Sequence, residues 1–131
     1  MTVTACHRML VNAIFEQGNR LGLSAMREFT VRTRNGHGFI DVAIWSESIF
    51  LAVEVERTNR RIIADFEKAI AVRAKELLIV VPNPKTRRLV EHRVNQLFLR
   101  TEFVGLNVFV GCLPRAVERI QHFFPQKSCS N

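Results

Sequence analysis

A chain of 131 residues, 47% of them hydrophobic and 24% charged, has room for one domain with its own buried core and needs no disulfide or structural metal to hold it. Lys and Arg number 19 against 12 Asp and Glu, a formal charge of +7, and that balance points to a polyanionic partner such as nucleic acid. Cys6, Cys112 and Cys129 are odd in number and form no Cys-x-x-Cys pair, no N-terminal stretch reads as a signal peptide, and the longest apolar run, Leu77 to Val81, is far too short to span a bilayer. The expectation is a cytoplasmic, soluble domain over residues 1–124 with free thiols and a frayed tail, Pro125 to Asn131.

The first element is a helix from Thr4 to Arg20, with Cys6, Met9, Leu10, Ala13 and Ile14 at helical spacing and an end near Gly22. Arg27 to Thr33 alternates, Phe29 and Val31 against Glu28, Thr30 and Arg32, and leads into the turn signal Asn35-Gly36-His37-Gly38. Phe39 to Trp45 and Phe50 to Glu56 follow as two antiparallel strands around Ser46-Glu47-Ser48. Ile62 to Glu76 carries an apolar stripe of Ile62, Ile63, Phe66, Ala69 and Ile70, with Asn59 as N-cap. Leu77 to Val81, ended by Pro82-Asn83-Pro84, reads as a strand buried on both faces, which makes a parallel right-handed crossover. Thr86 to Leu99 is a third helix with Leu89, Val90, Val94 and Leu97 inward, Leu106 to Cys112 a last strand, and Pro114 opens a closing helix through Phe124.

Within this order the two central strands carry the chemistry. Setting Trp45 opposite Phe50 sets Ala43 opposite Ala52 and Asp41 opposite Glu54, so the two carboxylates stand about 5 Å apart, with Glu56 roughly 7 Å further along the same face. Ile40, Val42, Ile44, Leu51, Val53 and Val55 take the other, aliphatic face. Like charges so confined raise at least one pKa or call for a cation, and a hard divalent ion suits a few carboxylate oxygens completed by water and phosphate. The competing reading of the same spacing is a solvated hairpin face with three ordinary acids. No Gly-x-Ser-x-Gly elbow, phosphate-binding glycine loop or dinucleotide fingerprint is present, which sets aside hydrolase triads, NTPases and dehydrogenases.

The acid of Ile40-Asp41 on the second strand, then Ala52-Val-Glu54-Val-Glu56-Arg57 ending the third, resembles the PD-(D/E)xK nuclease superfamily of restriction endonucleases and Holliday junction resolvases. The resemblance implies an α/β fold with a restriction endonuclease-like α-β-β-β-α-β core, a mixed sheet flanked by helices, and here an added helix-strand-helix. It implies Mg²⁺ or Mn²⁺ held by Asp41 and Glu54 with the Val55 carbonyl, and a third ligand from the first helix, where Glu16 is the only acid. It also implies Lys two residues after Glu54. Here that residue is Glu56, which then positions the attacking water or takes its proton. A lysine from the crossover helix substitutes in some relatives, but Lys68 lies about 200° from Phe66 and is expected to face away from the sheet.

Arg57, Arg60 and Arg61, at the handover from strand to helix, and His37 in its Gly-flanked loop are the candidate DNA contacts; Arg73 falls in the apolar stripe and is expected to snorkel. The substrate implied is duplex or branched DNA, with a homodimer possible. Two alternatives stand beside the nuclease: an inactive nuclease-fold module that binds nucleic acid, favoured by the missing lysine, and an interaction subunit of a DNA-processing complex.

Overall fold

The computed structural model describes residues 3–125. Along them run α1 (Val3–Arg20), β1 (Ser24–Thr33), β2 (Gly36–Trp45), β3 (Phe50–Val55), α2 (Ile62–Ala71), β4 (Glu76–Val80), α3 (Pro84–Leu97), a 3-10 turn at Thr101–Phe103, β5 (Val108–Gly111) and α4 (Leu113–Phe123). The fold is α/β. Its five strands form one mixed sheet in the order β1-β2-β3-β4-β5, antiparallel from β1 to β3 and parallel from β3 to β5. Helix, three antiparallel strands, crossover helix and parallel strand follow as expected, with the added helix-strand-helix behind them. The expected frayed tail lies, beyond Pro125, outside the described residues. Among the described residues no helix is long and apolar enough to cross a membrane.

Helices cover both faces of the sheet. On one side Leu10, Val11 and Ile14 of α1 and Ala116 and Ile120 of α4 pack on Val42, Ile44, Leu51, Val53 and Val55. On the other, Ile62, Phe66 and Ala69 of α2 and Val90, Val94 and Leu97 of α3 pack on Ala52, Leu77, Ile79 and Val81. A strand between two such layers has no solvent face to make polar, which is why Leu77 to Val81 reads as uninterrupted aliphatic sequence. Each fully buried Leu, Ile or Phe contributes about 1.5–3 kcal/mol through area removed from water.

The β2–β3 register is the expected one: Trp45 pairs with Phe50, Ile44 with Leu51, Ala43 with Ala52 and Val42 with Val53. The β1–β2 turn comes earlier than expected. Thr33 pairs with Gly36, leaving Arg34 and Asn35 as the two-residue loop, and Gly36 has a φ of 124°. Gly38 already belongs to β2 and has another use. A Cβ built there would stand 3.2 Å from Lys68 Cδ, so the missing side chain lets the lysine stem cross the strand.

The crossover helix departs most from expectation. It stops at Ala71 instead of Glu76, and Arg61 stands at its N-cap, with no side-chain cap, where Asn59 was expected. Its buried residues are Ile62, Asp65, Phe66, Lys68 and Ala69, while Ile70, expected inward, is 43% exposed. At about 100° per residue the buried arc spans about 160°, with Phe66 at one rim and Lys68 at the other. The helix is turned, relative to its apolar stripe, toward the β1–β2 edge, because there it can bury a polar pair that neutralises itself. Leu89 of α3 is corrected likewise: it is 49% exposed, one step off the buried line Thr86, Val90, Val94 and Leu97. That helix begins at Pro84, with the Asn83 side chain accepting from Thr86 N at 2.9 Å.

Arg73 is not within the helix but ends it. Its φ is 54°, its amide donates to Ile70 O and that of Ala74 to Ala69 O, both at 3.0 Å, which is the paired closure of a Schellman motif with an arginine where glycine is preferred. Arg73→Gly is therefore expected to raise stability by about 1 kcal/mol, read as a higher urea midpoint at unchanged slope. At the far end of the sheet Arg119 donates to both oxygens of buried Glu76, at 2.8 and 2.6 Å, which fastens α4 to β4.

Candidate functional site

Beyond the pair Val42–Val53 the β2–β3 ladder stops, and side chains replace it. Asp41 N donates to Glu54 Oε1 at 3.2 Å, and Val55 N donates to Asp41 Oδ2 at 2.8 Å. Each strand's carboxylate thus takes an amide of the other strand, which fixes both acids where the strands part. Strict alternation breaks at the same point: Ile40 packs in the α2-side core, while Val42 and Ile44 pack in the α1-side core. The expected single aliphatic face containing Ile40 is corrected accordingly. Opposite Asp41, between the pairs Arg27–Val42 and Phe29–Ile40, Glu28 has a left-handed φ of 52°, a costly backbone for a residue with a Cβ.

Lys68 completes the group. Its ammonium lies 2.7 Å from Glu54 Oε2, 2.7 Å from Phe39 O, to which it donates, and 3.5 Å from Asp65 Oδ1. The expectation that it faces away is overturned: it is buried, 7% exposed, and it stands between the acids. The available signal was Asp65 and Lys68 at i and i+3 on a mostly apolar helix, a pair able to enter the interior together. Asp65 itself carried no expectation from the sequence. His7 of α1, which by its helical pattern reads as an ordinary surface histidine, has its Nε2 3.4 Å from Asp41 Oδ2.

Burial sets the electrostatics. The Glu54 carboxyl is pushed up to about 8, chiefly by burial; the Lys68 charge pulls it down and the Asp41 charge pushes it up. Asp65 is raised well above the usual carboxylate range by burial, then by a hydrogen bond with Glu56 and the charges of Glu54 and Glu56. For Lys68 burial opposes the charge, but the charge and hydrogen bond of Glu54 outweigh it and hold its pKa above the ordinary value. The raised Asp65 carboxyl, which favours its neutral form, and the ammonium beside Glu54 ease the crowding of these buried acids.

A cavity of about 640 Å³ opens on these groups. Of the residues singled out in the sequence, Asp41, Glu54, Glu56, Arg57, Arg61 and His37 line it. Two do not. Arg60 is exposed outside the lining, and Glu16 is exposed on α1, nine positions beyond His7, so the first helix presents an imidazole here and no carboxylate. Asn35 Nδ2 donates to Glu67 Oε2 at 2.8 Å across the mouth and ties the β1–β2 turn to α2. A second groove of about 420 Å³ shares His7, Glu28 and Asp41 with the first and leads to Arg8 and Arg27.

Among the described residues no three His, Cys, Asp or Glu side chains converge closely enough to hold a cation by themselves. The donor chemistry at Asp41 and Glu54 nonetheless fits Mg²⁺ or Mn²⁺: two hard carboxylates and the Val55 carbonyl at one strand end, with a cavity that admits water and phosphate for the remaining positions. Glu16 does not belong to that set.

No family model matches the chain, and no curated protein matches it. A solved crystal structure described as a protein of unknown function, AF1548, matches with a TM-score of 0.52 and 10% identity, over 77% of this chain and 57% of that one. The likeness is one of fold alone. This chain spans little more than half of that protein's length.

Proposed function

We propose that this protein is a Mg²⁺-dependent nuclease that hydrolyses DNA, of the PD-(D/E)xK type, with Lys68 of the crossover helix in place of the lysine that Glu56 displaces. The observation that carries this reading is the Lys68 ammonium 2.7 Å from Glu54 Oε2, inside the carboxylate cluster and facing the cavity. It also weighs against the inactive module, whose main support was the absence of a lysine. Asp41 and Glu54, with the Val55 carbonyl, would hold the ion. Held there, the ion would supply Lewis-acid chemistry, a lowered pKa for an attacking water and a positive charge beside the scissile phosphate. Lys68, fixed by its contacts with Phe39 O, Glu54 and Asp65, offers a preorganised positive charge to the phosphate as negative charge builds on it. Glu56 lines the cavity two residues after Glu54, and its carboxylate would receive the proton that water gives up. Arg57 and Arg61, exposed on the same rim, hold the backbone, with His37 across the opening. We place the protein in the cytoplasm, where Cys6 and Cys112 stay free thiols.

The test is cleavage of linear, branched and single-stranded DNA by purified protein with Mg²⁺ or Mn²⁺. Cleavage that falls at least about a hundredfold in Glu54→Ala is the expected result. No cleavage of any substrate, or equal activity in the variant, would overturn the reading.

A further inference from the structure

Phe39 is 59% exposed, lines the mouth of the acidic cavity and stands two residues before Asp41. Isolated exposed apolar residues are ordinary, but this one combines a fixed base with a charged setting. Its carbonyl is held by the Lys68 ammonium at 2.7 Å, and its strand pairs it with Thr30, so the ring stands on rigid backbone. Around it the partners are hydrophilic: His37, Arg57 and Arg61 share the lining, and Arg32 Nε donates to His37 Nε2 at 3.2 Å. A phenyl ring gains little from a charged phosphate. It gains from the flat face of a base, and in a duplex those faces are covered by neighbouring pairs, whereas an unpaired nucleotide offers one.

The groove continues past the acids. From the Phe39 side it passes over Asp41 and His7 to Arg8 and Arg27, and Arg27 is held in place by Asn12 Oδ1 at 2.7 Å and by the Phe15 ring at 4.5 Å. Positive groups thus lie on both sides of the carboxylates, with one stacking surface upstream. We infer that the site takes unpaired nucleic acid, a single strand or the splayed arm of a fork, with a base stacked on Phe39 and the flanking phosphates on Arg61 and Arg27. This rests on the nuclease reading and narrows its substrate.

The experiment measures affinity apart from cleavage. Fluorescence anisotropy with dye-labelled oligonucleotides, in EDTA so that nothing is cut, compares a single strand, a fork and a blunt duplex for wild type, Phe39→Ala and Phe39→Trp. Wild type should prefer the single strand and fork. Phe39→Ala should cut that preference at least about fivefold, the size of one lost base-aromatic stack, and Phe39→Trp should keep or raise it. Circular dichroism checks folding, which an exposed side chain should leave intact. Equal affinity of wild type for all three substrates, or a loss in Phe39→Ala that is the same on duplex and single strand, overturns the inference. Parallel Mg²⁺ assays separate it from the reading beneath it: cleavage without the Phe39 effect removes only the inference, and the Phe39 effect without cleavage removes only the nuclease.

Discussion

Lys68→Met is expected to abolish cleavage while Mg²⁺ still binds. The substitution keeps the apolar stem that passes over Gly38 and removes only the charge. What is lost is a preorganised cation in a buried setting, the kind of group whose removal costs about 10²–10⁴ in rate. Asp41 and Glu54 remain, so calorimetric Mg²⁺ uptake should persist, most readily on the alkaline side, because the lysine charge no longer draws the Glu54 carboxyl down. Stability moves as well. Glu54 and Asp65 are 2% and 1% exposed, and depriving such acids of the ammonium between them costs about 3–5 kcal/mol if they stay charged. Protonation relieves part of that cost, so the loss should be smaller at pH 6 than at pH 9. Assays belong at a temperature where near-ultraviolet circular dichroism matches wild type. A folded Lys68→Met protein that cuts within about threefold of wild type would show that the ammonium serves packing alone.

Mg²⁺ affinity is expected to climb about tenfold per pH unit between about pH 6 and 8 and to level off above. The Glu54 carboxyl stands at about 8 in the fold against an ordinary 4.5, and the ion takes the carboxylate, so at neutral pH binding must expel a proton. Calorimetry in two buffers of different ionisation enthalpy should count close to one proton released at pH 7 and few at pH 9. The sign for the metal-free protein is the reverse. A carboxyl raised in this way contributes stability in full below about 4.5 and loses it as pH rises through about 8, so the metal-free fold should weaken on the alkaline side and added Mg²⁺ should restore it. Glu54→Gln removes that titrating group and should flatten the Mg²⁺ profile, leaving the alkaline loss of stability to Asp65. A Mg²⁺ affinity independent of pH in wild type would mean that Glu54 is not a ligand.

The carboxylate pair itself was readable in the chain, and the reason is local. Strand register follows from the short loop after Trp45, and one step past the pair Val42–Val53 it brings Asp41 beside Glu54, where each accepts an amide of the other strand. The order of elements was readable for a similar reason: hydrophobic periodicity and the Pro and Gly stops are written residue by residue, and a parallel crossover leaves few arrangements for them. Glu16 shows where such reasoning ends. It is the only acid of the first helix, but which turn of α1 meets the strand ends depends on where the helix lies along the sheet, and that brings His7 to Asp41.

Lys68 marks the same boundary from the other side. On the helix wheel it lies about 200° from Phe66, yet it is buried, because the width and centre of the buried arc belong to the tertiary packing. Two layers of neighbours decide that arc: α3 on one flank of α2, and the β1–β2 hairpin, opened by Gly38, on the other. Local pattern along the chain is enough to make two strands meet at paired acids within an α/β fold. Which charge stands between them is a matter of long-range packing, since a buried ion pair forms where that packing brings its partners within about 3 Å, and no periodicity along the chain encodes that distance.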